Sequence, residues 1–130
     1  VVLDQSVAIL DPAASILDNF RRLDPAATVN HAHAVLARFL FRNVDALKLV
    51  GSLSGGEMLR AGLACTLGGS HPPQLLMLDE PTNHLDLDSI TAIEAALRDF
   101  DGALLVASHD EDFLAALGVA RRLTFPLAGA

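Results

Sequence analysis

Ile16, Leu17, Phe20 and Leu23 fall at i, i+1, i+4 and i+7, a spacing that lines one face of a helix. Asp11-Pro12 stands in front of them as a cap followed by a first-turn proline, which predicts the helix start. A second stripe, Val35, Leu36, Phe39 and Leu40, follows a cap candidate at Asn30 and fades near Asn43. The first third of the chain therefore reads as helical. At Gly51 the texture changes. The stretch "GSLSGGEMLRAGLACTL" sets a loop of small residues on the N-terminus of a third helical stripe, Met58, Leu59, Leu63 and Leu67.

After the loop "GGSHPP" the apolar runs shorten. Leu75 to Leu78 and Ala103 to Ala107 have the form of fully buried parallel strands. Between them Ile90, Ile93, Leu97 and Phe100 repeat at three and four, and the helix closes at Asp101-Gly102. Strand, helix, strand implies a right-handed parallel crossover and an α/β fold. Val1 to Leu3 reads as the end of another strand, Glu111 to Leu117 as a short helix stopped by Gly118, and Val119 to Phe125 as a last strand. Ligands of open parallel sheets collect at the carboxyl ends of the strands, where Asp79, Glu80 and His109 stand.

Composition narrows the choice of class. With 130 residues, 52% of them hydrophobic, the chain has the size and apolar content to bury one core. A strand end at Val1 to Leu3 with nothing in front of it suggests a fragment. No apolar run approaches the roughly 20 residues of a membrane helix, and the first residues lack the basic-then-apolar order of a secretory leader, so neither insertion nor export is expected. The lone Cys65, in an apolar run, is expected in the core, which suits a cytoplasmic protein. His31 and His33, two apart, point to different sides of a helix and are expected in solvent rather than on a metal. A net charge of −7 leaves no broad cationic face, so little direct nucleic-acid binding is expected of this chain.

The chemistry concentrates in "LLMLDEPTNHLD", Leu75 to Asp86. A strand that ends in Asp and then Glu holds one acid for a magnesium ion and offers the next as a base for water. Taken alone, that run is equally compatible with an ordinary buried strand entering an acidic turn, and "LSGGE" with an ordinary Gly-Gly turn. Their order, followed by "EPTNHLD" and a histidine after the next strand, is far harder to attribute to structure alone.

Taken together these residues resemble the ATP-binding cassette (ABC) family. Leu53-Ser54-Gly55-Gly56-Glu57 looks like its signature motif, Asp79 and Glu80 like Walker B and the catalytic glutamate, Leu85-Asp86 like the D-loop, and His109 like the switch histidine. Gln5, in "VVLDQ", is similar to the Q-loop glutamine. The form "EPTNHLD", with His84, looks most like the F subfamily (ABC-F), soluble proteins that carry two cassettes and act on ribosomes. The resemblance implies a helical subdomain over 6–50, the signature loop and helix over 51–69, and the Walker B to switch-histidine α/β portion over 70–130. It also implies roles. Ser54, Gly55 and Gly56 would meet the phosphates of ATP held by an opposing cassette, in the same chain or a dimer, and Asp86 would face that partner. Asp79 would hold Mg2+ with Gln5 in its shell, Glu80 would orient the attacking water, and His109 would hydrogen-bond the γ-phosphate. For His84 a plain loop contact is as good a reading as a ligand role, and Glu57 reads as a favourable acid in a first helical turn.

One departure outweighs the matches. The phosphate loop needs Gly-x-x-x-x-Gly-Lys and then Ser or Thr, and the chain's lysine, Lys48, stands in "DALKLV". No Tyr or Trp is present to stack on adenine. The chain alone is therefore expected to be inactive and the full-length protein an ATPase. Two alternatives stay open: the ATPase subunit of an ABC transporter, and a truncated, non-catalytic cassette that acts as an interaction module.

Overall fold

The first helix begins at Ser15, not at Asp11-Pro12. In the computed structural model, which describes residues 2–3, 9–83 and 85–118, Ser15 accepts the Asp18 N–H at 3.0 Å and α1 runs over Ile16–Leu23. Asp11 is engaged elsewhere: its N–H and carbonyl both bond the side chain of Asn19, at 2.8 and 3.0 Å. Asn19 is fully buried and also bonds Ser15 O and Arg22, so the Asp11 turn folds back against α1 instead of starting it. The second helix, α2 (Val29–Arg38), starts one residue before Asn30, capped by Thr28 through the His31 N–H at 3.0 Å. It ends at Arg38 rather than near Asn43, because Leu40 turns into the left-handed region at φ 72°. Leu40 N–H and Phe41 N–H then bond the carbonyls of Ala37 and Leu36, which satisfies helix-end acceptors. Two short 3-10 turns, Asn43–Leu47 and Val50–Ser52, lead into α3 (Gly55–Leu67).

Three parallel strands follow the order β1-β2-β3: β1 (Val2–Leu3), β2 (Leu75–Asp79) and β3 (Ala103–Ala107). Val2 lies opposite Met77, and Leu75 opposite Ala103 through to Asp79 opposite Ala107. The helix between β2 and β3, α4 (Leu87–Arg98), is capped by Asp86, and α5 (Glu111–Ala116) ends beside Gly118 at φ 65°. Expectation and structure part on burial. The strands were expected to be buried on both faces, yet in β2 Leu76 and Leu78 are buried while Leu75 is exposed, and β3 alternates likewise, with Leu105 exposed. A strand is buried on both sides only when a layer lies on each, and the described residues cover one.

One continuous core joins the parts. Ile16, Phe20, Val35, Leu36, Phe41 and Leu59 fill the helical region, and Leu76, Leu78, Ile93, Leu97 and Phe113 the α/β region. Cys65 sits in that core, where burial pushes its thiol up to about 12. Asp24, also buried, accepts both the backbone N–H and the hydroxyl of Ser70, fastening the end of α1 to the loop after α3. Among the described residues no helix is long and apolar enough to cross a membrane. Gln5, His84 and the strand expected over Val119 to Phe125 lie outside the described residues.

Candidate functional site

Asp79 ends β2 and is exposed, with its backbone in register with Ala107 of β3. Glu80 follows in the left-handed region, φ 45°, and its N–H bonds Ala107 O at 2.7 Å. The backbone thus turns sharply at the strand end while staying tied to β3. That turn brings the Glu80 carboxylate to 3.7 Å from His109 Nε2, in the loop that leaves β3. The His109 ring is 84% exposed and the Glu80 side chain 31%, so the histidine is open to a ligand and the acid is partly sheltered. Sequence reasoning missed the device that holds the two loops together. Thr82 donates its hydroxyl to Asp110 Oδ2 at 3.1 Å, and Asp110 Oδ1 caps α5 through the Phe113 N–H at 3.0 Å. An Asp immediately before a helix was a readable cap signal; its second bond, to a residue 28 positions away, was not.

The loop at Ser54 is built separately, at the start of α3. Ser54 Oγ accepts the Glu57 N–H at 3.2 Å and the Ser54 N–H donates to Glu57 Oε1 at 3.0 Å, a reciprocal cap that fixes the first turn. Gly55 and Gly56, expected in the loop, are the first two residues of the helix itself. Their N–H groups are among those a helix leaves without an internal partner, and the helix dipole adds a partial positive charge there, so an anion is favoured. The Ser54 N–H holds the Glu57 carboxyl below its ordinary range, with help from its hydroxyl and from Lys48, whose Nζ lies 3.9 Å away. Lys48 also pairs with Asp45 at 3.6 Å. It braces this loop and is no part of a phosphate cradle.

Asp86, at the start of α4, accepts the Ser89 N–H at 3.1 Å, and the Ser89 bonds hold its carboxyl below the ordinary value. Arg60, on α3, donates to Phe39 O at 2.8 Å and lies 4.8 Å over the Phe41 ring, and burial holds its guanidinium below the ordinary value, with Glu57 and Asp86 in part offsetting that. Of the expected residues, then, the structure pairs Glu80 with His109 and gathers Ser54, Gly55 and Gly56 on one helix end. Asp86 and Leu85 stand between the two groups: Leu85 packs on Gly56, and Asp86 caps the helix that follows. Among the described residues no three His, Cys, Asp or Glu side chains come together as a metal-holding group. A single exposed carboxylate such as Asp79 does fit Mg2+, which keeps several waters and takes one or two carboxylates together with substrate phosphates. A cleft of about 890 Å3 opens at the opposite ends of the strands, lined by Val35, Phe39, Gln74, Phe100 and Ala103, away from Asp79 and Glu80.

No protein-family model matches the chain. Individual proteins do. The ATP-binding protein Uup of Haemophilus influenzae is 40% identical over 115 residues, 85% of this chain and 18% of its own length. Uup of Caulobacter vibrioides is 45% identical over 84 residues, 65% of this chain and 14% of its own. The energy-dependent translational throttle protein EttA of Escherichia coli K12 is 48% identical over 85 residues, 64% of this chain and 15% of its own. The chain thus spans between 14% and 18% of the length of these relatives. Among solved structures, the dimeric bacterial ABC transporter cassette MJ0796 superposes with a TM-score of 0.69 at 22% identity, covering 88% of this chain and 54% of that one. The same cassette bound to ADP and Pi superposes at 0.68 with 23% identity. At such identity the likeness is one of fold, and the fold is that of an ABC cassette.

Proposed function

Because the chain belongs, over the residues matched, with the ATP-binding cassette proteins of the F subfamily, we propose that it supplies a cassette's signature loop, catalytic acids and switch histidine, in a protein that hydrolyses ATP between paired cassettes. The observation that carries this reading is the Glu80–His109 pair beside Asp79 at the carboxyl ends of two parallel strands.

Each residue then has a step. Glu80, next to the strand end and partly sheltered, takes the proton from the attacking water; His109, exposed, donates to the γ-phosphate and is held in reach by the Thr82–Asp110 bond. Asp79, with Gln5, would hold Mg2+, which offsets the charge on the phosphate oxygens. Ser54, whose oxygen is occupied as an acceptor, keeps its hydroxyl proton to donate, and Gly55 and Gly56 present N–H groups to phosphates of ATP bound on an opposing cassette. Asp86 faces that partner.

The cellular role that we propose is at the ribosome, in the cytoplasm, rather than beneath a membrane transporter. EttA, a relative at 48% identity, is a translational throttle protein, whereas the transporter cassette is alike in fold alone. Ribosome contact belongs to other segments, since this acidic chain lacks the charge for RNA. The test is co-sedimentation of the full-length protein with ribosomes. Pelleting that requires ATP supports the reading, and ATP turnover indifferent to ribosomes overturns it.

A further inference from the structure

Little packs against the His109 ring. Its side chain is 84% exposed, yet Nε2 stands 3.7 Å from Glu80. Holding an exposed side chain in one place costs entropy, so something other than packing must confine it. The backbone on either side is what is fixed. Ser108 Oγ accepts the Asp110 N–H at 3.0 Å, a bond that closes a small turn over His109. Asp110 divides its carboxylate: Oδ1 takes the Phe113 N–H at 3.0 Å and Oδ2 takes the Thr82 hydroxyl at 3.1 Å. Its carbonyl accepts the Leu114 N–H at 3.1 Å. Phe113 is buried in the core, so this clasp is moored there through the first turn of α5. The bonds use Ser108 and Asp110 and leave the His109 ring outside them.

We propose that Ser108 and Asp110 are positioning residues that set how far the His109 ring reaches from the end of β3. The proposal rests on the function proposed above, in which His109 donates to the γ-phosphate. Ser108 fixes the direction in which the His109 side chain leaves the loop, and Asp110 fixes the distance of the loop from the core. Only the torsions of the histidine side chain stay free, so the ring adjusts to a phosphate without movement of the loop.

Removing each bond separates positioning from packing. In the full-length protein, Ser108→Ala lowers single-turnover ATP hydrolysis about tenfold while the ATP dissociation constant stays within about threefold, because a misaimed donor costs rate more than binding. Ser108→Thr, which keeps the hydroxyl, retains the parental rate. Asp110→Ser still offers an oxygen to cap α5 but is too short for Thr82, and slows hydrolysis by a similar factor. The deciding comparison removes the ring: once His109→Ala is made, adding Ser108→Ala or Asp110→Ser costs no further rate. A further loss in that background shows action apart from His109 and overturns the proposal, as does a parental rate in Ser108→Ala or Asp110→Ser. A His109→Ala protein as fast as the parent sinks the functional reading instead. The His109 ring resonance, assigned by its loss in His109→Ala, then still decides whether the clasp places the ring: it shifts in Ser108→Ala and Asp110→Ser and not in Ser108→Thr, and an unmoved resonance overturns the proposal.

Discussion

Glu80 Oε1 stands 3.7 Å from His109 Nε2 across the ends of β2 and β3, and the contact exists because Glu80 adopts φ 45° while its N–H holds Ala107 O. A side chain in the left-handed region is uncommon and costs energy, so the pairing is maintained against local preference. Such strain concentrates where geometry has a use, here to swing a carboxylate out of the strand and towards the next loop.

The strain can be measured in the chain itself. Glu80→Gly and Glu80→Ala both remove the carboxylate, and only glycine accepts φ 45° freely. The glycine variant is expected to be more stable than the alanine variant by about 1 kcal/mol in urea or thermal unfolding. Equal stabilities would mean that the backbone at Glu80 is unstrained.

The chain without further polypeptide is expected not to hydrolyse ATP. Its lysine, Lys48, is taken up with Asp45 and Glu57, and no Gly-x-x-x-x-Gly-Lys pattern occurs in the sequence. What is left for a nucleotide is one helix end and a few side chains. Phosphate release by the purified 130 residues that depends on magnesium and on Glu80 would contradict this.

Acid is expected to weaken the cap at Ser54. The Glu57 carboxyl lies below its ordinary 4.5, chiefly through the Ser54 N–H. A depressed carboxylate adds stability that is complete above its ordinary value and is lost as the pH falls through the folded one. Glu57 is partly exposed, so the contribution is screened and small. Glu57→Gln, which can still cap, is expected to cost less than about 1 kcal/mol at pH 7, with the gap between the two proteins narrowing as the pH falls below the ordinary 4.5 and through the lower folded value. A gap that persists at low pH would place the effect in packing rather than charge.

Much of this was legible in local pattern. The 3.6-residue stripes gave α1 to α4, the short apolar runs gave β2 and β3 within a residue, and Gly118 marked the end of α5. What misled was Asp11-Pro12, a good helix-start signal whose backbone groups are taken by Asn19, a polar residue buried on the helix that the signal was meant to begin. Burial on both faces of the strands was misjudged because alternation depends on what covers a sheet, and no strand carries that information. The acids and His109 could be placed from strand ends. The Thr82–Asp110 bond and the Leu85 seat on Gly56 could not, since each joins residues that no periodicity connects.

Glu80 decides whether the strand ends form a catalytic site. In a protein that joins this chain to a phosphate-binding loop, Glu80→Gln preserves shape and most hydrogen bonding but removes the group that accepts the proton from water. Hydrolysis is expected to fall by roughly 10²–10⁴-fold, the usual contribution of a general base, with ATP still bound and the cassettes held closed around it. Asp79→Asn in the same protein should weaken magnesium-dependent binding as well as turnover. If single-turnover hydrolysis by Glu80→Gln matches the parent while Asp79→Asn abolishes it, Glu80 is not the base, and the reading of the strand ends as a catalytic site is wrong.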